Sequence, residues 1–323
     1  MSQRLFPILK MLSNGKFHSG DELGAALGVS RAAIWKSIQK LTKFGLHVHS
    51  VRGKGYRLTQ PLELLNQQKL LEELGQTQID KIEEIELLLS IDSTNSHAMR
   101  RIQKEPIDLS QGKVLICLAE QQTGGKGRRG REWISPLGHN MYLSIAREFE
   151  SGAVGLEGLS LVVGLALIRA LKKSGIDGLS VKWPNDVLWG NRKLAGILLE
   201  MTGDVTGTCR VVIGLGLNIQ VEAETMRGID QPWVDVSSIL SSLPGRNQLI
   251  SCVINDLLLV LDEFEARGFE SFMQEWDAVD AIKGCQVELL RSLKAESNNI
   301  VGIASGVNES GALLLTTPNG VLP

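Results

Sequence analysis

The first sixty residues combine three stretches of helical periodicity with one alternating stretch. Apolar side chains recur one helical turn apart over residues 5–12, 21–27 and 30–44, which predicts three helices. Serines precede the second and third of these as N-caps. Residues 46–58 alternate around a Gly-Lys-Gly turn, which predicts a β-hairpin. Two short helices joined at a glycine and followed by a hairpin are typical of a winged helix-turn-helix.

Farther along, strand-like and helical apolar patterns mix. Residues 61–81 carry leucines at helical spacing and predict one amphipathic connector helix. Strands are predicted at residues 85–91, 114–118, 140–149, 193–201 and 209–219, with another ending at 180–186. Helices are predicted after residue 93 and at residues 156–173, 249–267 and 269–279. Three short runs after residue 283, the first at 286–290, predict a small β-domain. The pattern therefore indicates an α+β or mixed α/β protein.

Charge separates the first module from the rest of the chain. Residues 1–60 carry ten Lys or Arg and two Asp or Glu, a net charge of +8, whereas the remainder carries 24 and 34, a net charge of −10. A basic module in front of an acidic one indicates different partners, and a polyanion is expected for the first. The predicted DNA-contacting residues lie on the third helix and the hairpin turn: Ser30, Arg31, Lys36, Gln39, Lys40 and Lys54. Trp35 is unusual on that face, and a protein-binding helical domain is the alternative.

Composition indicates an ordinary cytoplasmic protein. Hydrophobic residues make up 43% and charged residues 22% of the 323 residues. No signal-peptide pattern opens the chain, and no apolar run is expected to reach the roughly 20 residues that span a bilayer, so no membrane partner is predicted. The four cysteines have no metal-like spacing and are predicted to be buried free thiols.

Candidate chemistry is concentrated in residues 124–131, which hold four glycines and four cations. Glycines let backbone N–H groups converge, and arginines add forked donors, so the loop suits an anion such as a phosphate or carboxylate. A solvated basic loop or a nucleic-acid contact is an equal alternative for this stretch alone. Three further polar segments follow strands, at residues 92–95, 182–186 and 214–218, where loops commonly carry sites.

These segments together resemble one family. Residues 92–95 (DSTN), 125–131 (GKGRRGR), 182–186 (KWPND), 193–198 (KLAGIL) and 214–218 (GLGLN) occur in the order found in biotin–protein ligases. With the basic winged helix in front, the chain resembles the bifunctional members that also repress the biotin operon. The resemblance covers residues 17 to 315.

The resemblance implies a fold and a set of domains. The fold would be a winged helix-turn-helix, a central mixed α/β ligase domain like that of class II synthetases, and a small SH3-like β-barrel. The corresponding boundaries are residues 1–61, a connector at 62–82, the catalytic domain at 83–280 and the C-terminal domain at 281–323. Family members normally continue for at least one more strand, so the last domain is expected to be incomplete, with an unpaired edge.

The resemblance also implies an activity and its partners. Biotin and ATP would give biotinyl-5′-AMP and diphosphate, with Mg²⁺ assisting, and biotin would pass to a lysine of the biotin carboxyl carrier protein. The adenylate would promote a homodimer that binds operator DNA. Two alternatives remain: a biotin-sensing transcription factor without ligase activity, and a lipoate-type acyl ligase.

By motif match, the resemblance implies roles for individual residues. The catalytic residues would be Lys182 and Arg128. Biotin and its adenylate would be bound by Ser93, Thr94, Asn95, Gln122, Lys126, Gly127, Arg128 and Lys182. The nucleotide side would hold Arg131, Trp133, Lys193 and Asn218. Chemistry further suggests that Asp186 assists Mg²⁺ or the incoming lysine, and that Leu198, Leu199, Ile213 and Leu215 line an apolar slot. Lys126 departs from the family, which usually has arginine there, and it lacks the bidentate fork.

Overall fold

The structure is a computed structural model that describes residues 5–203, 207–289 and 299–322. Its first part is the predicted helix-turn-helix with a hairpin, formed by α1 (Leu5–Leu12), α2 (Gly20–Leu27), α3 (Arg31–Lys43), β1 (Val48–Val51) and β2 (Gly55–Leu58). Ser19 and Glu22 form a capping box on α2, and Ser30 caps α3. The apolar faces of these elements meet in a core separate from that of the central sheet. Leu137, from the central part of the chain, is buried in that core and joins the two parts.

The prediction of one connector helix over residues 61–81 is wrong. The structure has an extended segment followed by two short helices, α4 (Gln67–Glu72) and α5 (Gln76–Ile79). The backbone N–H groups of the extended segment bond to side chains of the central part instead of to helix carbonyls. Glu120 accepts from Leu65 N at 2.5 Å, and Asn247 accepts from Asn66 N at 2.8 Å. Tertiary hydrogen bonds therefore override the leucine periodicity.

The central part is a seven-stranded mixed sheet. Its strands are β3 (Ile82–Leu88), β4 (Val114–Ala119), β5 (Met141–Phe149), β6 (Leu179–Lys182), β7 (Asp186–Trp189), β8 (Arg192–Gly203) and β9 (Cys209–Leu217). The order is β3-β4-β5-β9-β8-β7-β6, in which β3 and β4 are parallel and the remaining neighbours antiparallel. The predicted strand 85–91 lies three residues too late, and β7 was not predicted.

Four helices cover the two faces of this sheet: α6 (Thr94–Lys104), α7 (Leu159–Lys173), α8 (Arg246–Arg267) and α9 (Met273–Val279). The apolar side of α6 packs with Leu115, Cys117 and Val212 in a small core on one face. Helices α7 and α8 form the large core on the other face with the remaining sheet residues. The strand ends between these layers carry the polar segments singled out in the sequence.

The segment Val154–Lys173, which contains α7, is long and apolar enough to cross a membrane by length and composition, with a mean hydropathy of 1.9. The expectation that no run reaches this length is therefore wrong. The same window is 67% buried inside the protein, as a helix packed between a sheet and another helix would be.

The C-terminal part is a four-stranded antiparallel sheet in chain order, formed by β10 (Gln286–Leu289), β11 (Ile300–Val307), β12 (Leu313–Thr317) and β13 (Gly320–Leu322). Leu290, the predicted end of the first strand, lies outside the described residues. Strand β13 was not predicted, and it pairs with β12. In the sheet order β10-β11-β12-β13, β13 is an edge strand, and the expectation that the domain is incomplete stays a prediction.

The cysteines are all free thiols. Cys117 and Cys209 are buried as predicted, Cys252 is half-buried, and Cys285 is exposed, against the prediction.

Candidate functional site

A cavity of about 1110 Å³ lies where the polar segments meet. Every ligase-site residue predicted from the motifs lines it: Ser93, Thr94, Asn95, Gln122, Lys126, Gly127, Arg128, Arg131, Trp133, Lys182, Lys193 and Asn218. These residues come from segments up to 125 positions apart, between Ser93 and Asn218. The fold thus brings together motifs that the sequence shows only in order.

One end of the cavity, here called the neutral end, is a network of uncharged hydrogen-bonding side chains that is bordered by the carboxylate of Glu200. Gln122 Oε1 accepts from Thr94 N at 2.9 Å and from Thr94 Oγ1 at 3.1 Å. The Ser144 hydroxyl lies 2.6 Å from Asn95 Oδ1 and 2.8 Å from Thr94 Oγ1. Asn95 Nδ2 donates to Leu198 O at 3.2 Å and to Glu200 Oε2 at 3.0 Å. Ser93, which caps α6, is also buried. Side chains held this way present donors and acceptors in fixed directions.

Two glycines of β9 make room for this arrangement. A Cβ at Gly214 would lie 2.2 Å from Asn95 Oδ1, and a Cβ at Gly216 would lie 2.4 Å from Trp133 Cε2. The sequence left Gly-Leu-Gly-Leu-Asn equally open to core packing and function. Both glycines line the cavity, and the intervening Leu215 is buried in the large core, so this strand forms the cavity floor.

The basic loop is folded back on itself beside that floor. Gly127 N donates to Arg131 O at 2.7 Å, and Trp133 N donates to Gly125 O at 2.9 Å. A Cβ at Gly125 would lie 2.3 Å from Trp133 O, so this turn requires glycine. At its base, Gly124 N donates to Asp92 O at 2.8 Å, which ties the loop to the segment that precedes α6.

The other end of the cavity is cationic. Lys126 Nζ lies 3.5 Å from Glu200 Oε1, and Arg128 donates to Asn185 Oδ1 at 3.3 Å. Partial removal of its guanidinium from solvent, together with the charge of Arg129, lowers the pKa of Arg128, while Asp186 opposes the shift. Lys182 is exposed to the cavity, and within the described ranges no carboxylate forms an ion pair with it. These cations are placed to receive an anion.

A third group of residues lies against Trp133. Lys193 Nζ is 2.9 Å from Asp186 Oδ1 and 5.5 Å from the centre of the Trp133 ring. Asn218 is buried and donates to Val234 O at 3.2 Å, while its Oδ1 finds no partner among the described residues. The indole Nε1 of Trp133 is likewise buried and unpaired within the described part of the chain. Buried polar atoms left in this state are typical of a ligand site.

The predicted apolar slot is only half right. Leu198 lines the cavity, but Leu199 and Ile213 belong to the core on the opposite face, because successive strand residues point to opposite sides. Leu215 borders the cavity, but it is buried in the same core as Ile213, two residues before it. Sequence reasoning also missed Ser144, a strand residue with no local signal that joins the hydrogen-bond network. Six further lining residues were missed as well: Met226, Gly228, Ile229, Asp230, Gln231 and Trp233. Ile282, Val287, Glu288, Leu289 and Leu313, near or within the C-terminal sheet, complete the wall.

The predicted DNA-contacting residues of the N-terminal part are accessible to solvent. Arg31, Lys36, Gln39, Lys40 and Lys54 are exposed. Ser30 accepts from Ala33 N at 3.3 Å, so its side-chain oxygen caps α3. Trp35 is 53% exposed on the same helix, although it is a large apolar side chain.

Comparisons with known proteins agree with these two parts. Residues 89–218 match the model of the Biotin/lipoate A/B protein ligase family, and residues 4–57 match an HTH domain. The chain is 39% identical over 316 residues to the bifunctional ligase/repressor BirA of Escherichia coli (strain K12), which covers 98% of this chain and 93% of that protein. It is 27% identical over 318 residues to BirA of Bacillus subtilis (strain 168), which covers 96% of this chain and 92% of that protein.

Among solved structures, the chain is similar to the biotin protein ligase from Aquifex aeolicus in complex with biotin and ATP, with a TM-score of 0.61 and 26% identity. The match covers 74% of this chain and 94% of that one. The cavity, the helix-turn-helix and these matches lead to one conclusion. The chain belongs to the biotin–protein ligase family, among its bifunctional ligase/repressor members.

Proposed function

We propose that this protein activates biotin with ATP to biotinyl-5′-AMP and transfers biotin to a lysine of the biotin carboxyl carrier protein. The observation that carries the proposal is that one cavity combines a buried hydrogen-bonding network, the apolar Leu198 and the cations Lys126, Arg128 and Lys182, with Glu200 between the network and Lys126. Biotin has three matching parts, a polar ureido ring, an apolar tail and a terminal carboxylate. ATP would then meet the carboxylate at the cationic end.

The neutral end fits the ureido ring. Ser93, Thr94, Asn95 and Gln122 are held by hydrogen bonds before any ligand arrives, so little ordering is needed on binding. Leu198 would contact the tail of biotin. A dry slot with a few fixed polar groups is the usual form of a small-molecule site.

The cationic end would promote the first step. A biotin carboxylate oxygen bonds to the α-phosphorus of ATP, the bond from that phosphorus to the bridging oxygen breaks, and diphosphate leaves. Lys182 and Arg128 would neutralise the oxygens that repel one another during this approach, and Lys126 and Gly127 would close over the adenylate. Because no covalent enzyme intermediate is needed, the site requires position and charge rather than a nucleophilic side chain.

Arg131, Trp133, Lys193 and Asn218 would hold the nucleotide. Trp133 orders the loop through its contact with Gly216, and the unpaired Oδ1 of Asn218 could accept from a nucleotide donor.

The cavity also suits Mg²⁺ delivered with ATP. The acidic residues that line the cavity are dispersed, which fits an ion bound through phosphates and one carboxylate rather than by several protein ligands. Asp186, the carboxylate proposed for this role, is paired with Lys193 in the structure. Asp186 would hold Mg²⁺ at the edge of the cationic end. When bound, the ion would neutralise phosphate oxygens.

In the second step, the amine of the carrier lysine attacks the acyl carbon of the adenylate, the bond from that carbon to the phosphate oxygen breaks, and AMP leaves; the nitrogen loses one proton to solvent as the amide forms. Lys182 would stay on the carboxyl and phosphate oxygens through both steps. The C-terminal sheet contributes to the cavity wall, so we place the carrier against that side. We propose that this sheet is the SH3-like barrel of the family.

We also propose that the helix-turn-helix represses the biotin operon. We propose domain boundaries at 1–61, 62–82, 83–280 and 281–323, which the separate N-terminal core and the C-terminal sheet support, and we propose that the protein acts in the cytoplasm. The adenylate would order the basic loop and thereby reduce the entropic cost of forming a homodimer. A two-fold dimer presents two winged helices to a palindromic operator. Gel-shift titration of biotin operator DNA should show tighter binding with biotin and ATP; equal affinity without them would reject this scheme.

Biotin-dependent ATP–diphosphate exchange tests the ligase proposal. The wild type should exchange with biotin, and Lys182→Ala should lower the rate by about 100-fold or more, as loss of one charge-stabilising donor does. Lys172→Ala, at an exposed lysine on α7, is the matched control and should behave like the wild type.

The same assay separates the alternatives. Biotin binding without exchange in the wild type would establish the non-catalytic sensor. Exchange with lipoate but not biotin would establish the lipoate-type ligase. The unpaired Lys182 and the preformed polar network favour the biotin ligase over both.

A further inference from the structure

A second cluster of potential ligands lies under helix α6, outside the large cavity. Glu86 on β3, His97 on α6 and Cys117 on β4 each direct one ligand atom to a common point, and these atoms lie within 4.8 Å of one another. Glu86 and Cys117 are directly opposite in the parallel β3–β4 pair, so the sheet register fixes their side chains on the same face. His97 closes the cluster from the helix that packs over them.

One of the two shortest distances in the cluster matches that of a four-coordinate metal, and the other is about 1 Å shorter. Glu86 Oε2 is 2.5 Å from His97 Nε2 and 3.6 Å from Cys117 Sγ. Ligand atoms of a tetrahedral zinc site lie about 3.5 Å apart, given bond lengths of about 2.0–2.3 Å. The cation would therefore replace the hydrogen bond between Glu86 and His97, with an outward shift of the imidazole by about 1 Å.

The surroundings favour an added cation. Arg101 pairs with three carboxylates, those of Glu84, Glu86 and Glu105, so one positive charge faces three negative ones. Arg101 contacts Glu86 Oε1, which leaves Oε2 turned towards His97 and Cys117. A hydrogen bond or ion pair behind a ligand is the usual way in which proteins orient metal-binding carboxylates.

The cluster is closed off from solvent at its cysteine. Cys117 is 0% exposed, and its thiol donates to Glu86 Oε2 at 3.6 Å, so the cluster does not suit a nucleophilic cysteine.

We propose that Glu86, His97 and Cys117 bind a divalent cation of the zinc class, with one water as the fourth ligand. On binding, the Cys117 thiol releases its proton to solvent and a thiolate–metal bond forms. Thiolate, imidazole and carboxylate with an open fourth position are a ligand set that Zn²⁺ accepts. The ion would fasten α6 to β3 and β4, and α6 begins with the residues proposed to bind biotin.

Titration of the metal-free full-length protein with Co²⁺ and with Zn²⁺ tests the site. We expect one Co²⁺ per chain, with a thiolate-to-cobalt charge-transfer band that stoichiometric Zn²⁺ abolishes. Cys117→Ser should remove the band, and His97→Gln should weaken Zn²⁺ binding by at least about 100-fold. Cys285→Ser, at the exposed cysteine, is the matched control and should retain both properties.

Thermal unfolding gives an independent measurement. Saturating Zn²⁺ should raise the Tm of the wild type and of Cys285→Ser but not that of His97→Gln, because a ligand that binds only the folded state stabilises it. A wild type without the charge-transfer band, or variants that bind Zn²⁺ as tightly as the wild type, would overturn the proposal. If Cys117→Ser fails to fold, His97→Gln still tests the proposal.

Discussion

The indole ring of Trp133 lies against the backbone of Gly216, so closely that a Cβ there would be 2.4 Å from Cε2. This contact joins the basic loop to the floor of the cavity, because Trp133 follows the loop and Gly216 lies in β9. The loop is therefore anchored at its end by a contact that only glycine permits.

Gly216→Ala should displace the indole and loosen the loop. Overpacking of this kind costs about 1–3 kcal/mol, so the KM for ATP in diphosphate exchange should rise about tenfold or more. Gly245→Ala is the control, because its Cβ would lie 3.4 Å from Glu63 Oε2, an ordinary contact. An unchanged KM for ATP in Gly216→Ala would mean that Trp133 does not position the loop.

Ser144→Ala should weaken biotin binding although Ser144 does not line the cavity. The substitution removes the partner 2.6 Å from the buried Asn95 Oδ1, and an unsatisfied buried acceptor costs about 1–3 kcal/mol. Calorimetric titration should give a Kd for biotin about tenfold higher. Ser305→Ala, at an exposed serine of β11, should leave the Kd unchanged, and equal values for the two variants would contradict the proposed role of the network.

Arg246→Ala should destabilise the whole chain. Arg246 and Glu120 form an ion pair at 2.6 Å with side chains that are 6% and 3% exposed, and Arg246 also donates to Asn140 O. Removal of one partner from a buried pair costs about 3–5 kcal/mol, measurable by urea denaturation. Lys69→Ala breaks a more exposed pair with Glu63 and should cost under about 1 kcal/mol. Similar losses of unfolding free energy in the two variants would show that the buried pair contributes no more to stability than the exposed pair.

The pair of Asp92 and Arg100 should contribute to stability only above acidic pH. Two hydrogen bonds of 2.8 Å from Arg100 hold the pKa of Asp92 at about 2, below its ordinary 3.8. A depressed folded-state pKa gives stability that is present above the unfolded pKa and lost as pH falls through the folded one. Both side chains are about half exposed, so the contribution should be about 0.5 kcal/mol.

Urea denaturation of the wild type and Arg100→Gln across pH measures this contribution. The difference in unfolding free energy should be constant above about pH 5 and vanish between about pH 4 and pH 2. A difference that grows as pH falls would have the wrong sign for this pair.

Trp35 and Lys36 should affect DNA binding in different ways. Lys36→Ala should weaken binding to all duplexes alike and lower the salt slope by about one, as loss of a phosphate contact does. Trp35→Ala should instead change which sequences are selected from a randomised duplex pool, because an apolar side chain in a groove contacts base edges. The same selected sequences from wild type and Trp35→Ala would place Trp35 outside the interface.

Sequence reasoning succeeded where the deciding interactions are local. The caps at Ser19 and Ser30, the periodicity of α1 and α3 and the hairpin turn are set by residues a few positions apart. The ligase motifs also predicted the cavity lining, because each motif lies at the end of one strand.

Several of the failures involve partners that are distant in sequence. Residues 61–66 are extended because Glu120 and Asn247 bind their backbone, which the leucine spacing does not reveal. Ser144 joins the network only through the pairing of β5 and β9. Leu199 packs in the core instead of the cavity because side chains alternate between the two faces of a strand. The grouping of Glu86, His97 and Cys117 depends on a parallel strand register and a helix position, so cysteine spacing gave no sign of it.

The hydrogen bond from Trp183 Nε1 to Gly311 O, at 3.0 Å, ties the loop after Lys182 to the C-terminal sheet. Leu313, two residues later, is part of the cavity wall. During synthesis on the ribosome, the helix-turn-helix has emerged long before these residues are added. A growing chain would therefore complete its helix-turn-helix before its ligase cavity is closed, and the adenylate-dependent dimer that binds DNA would form only after the C-terminal sheet has been made.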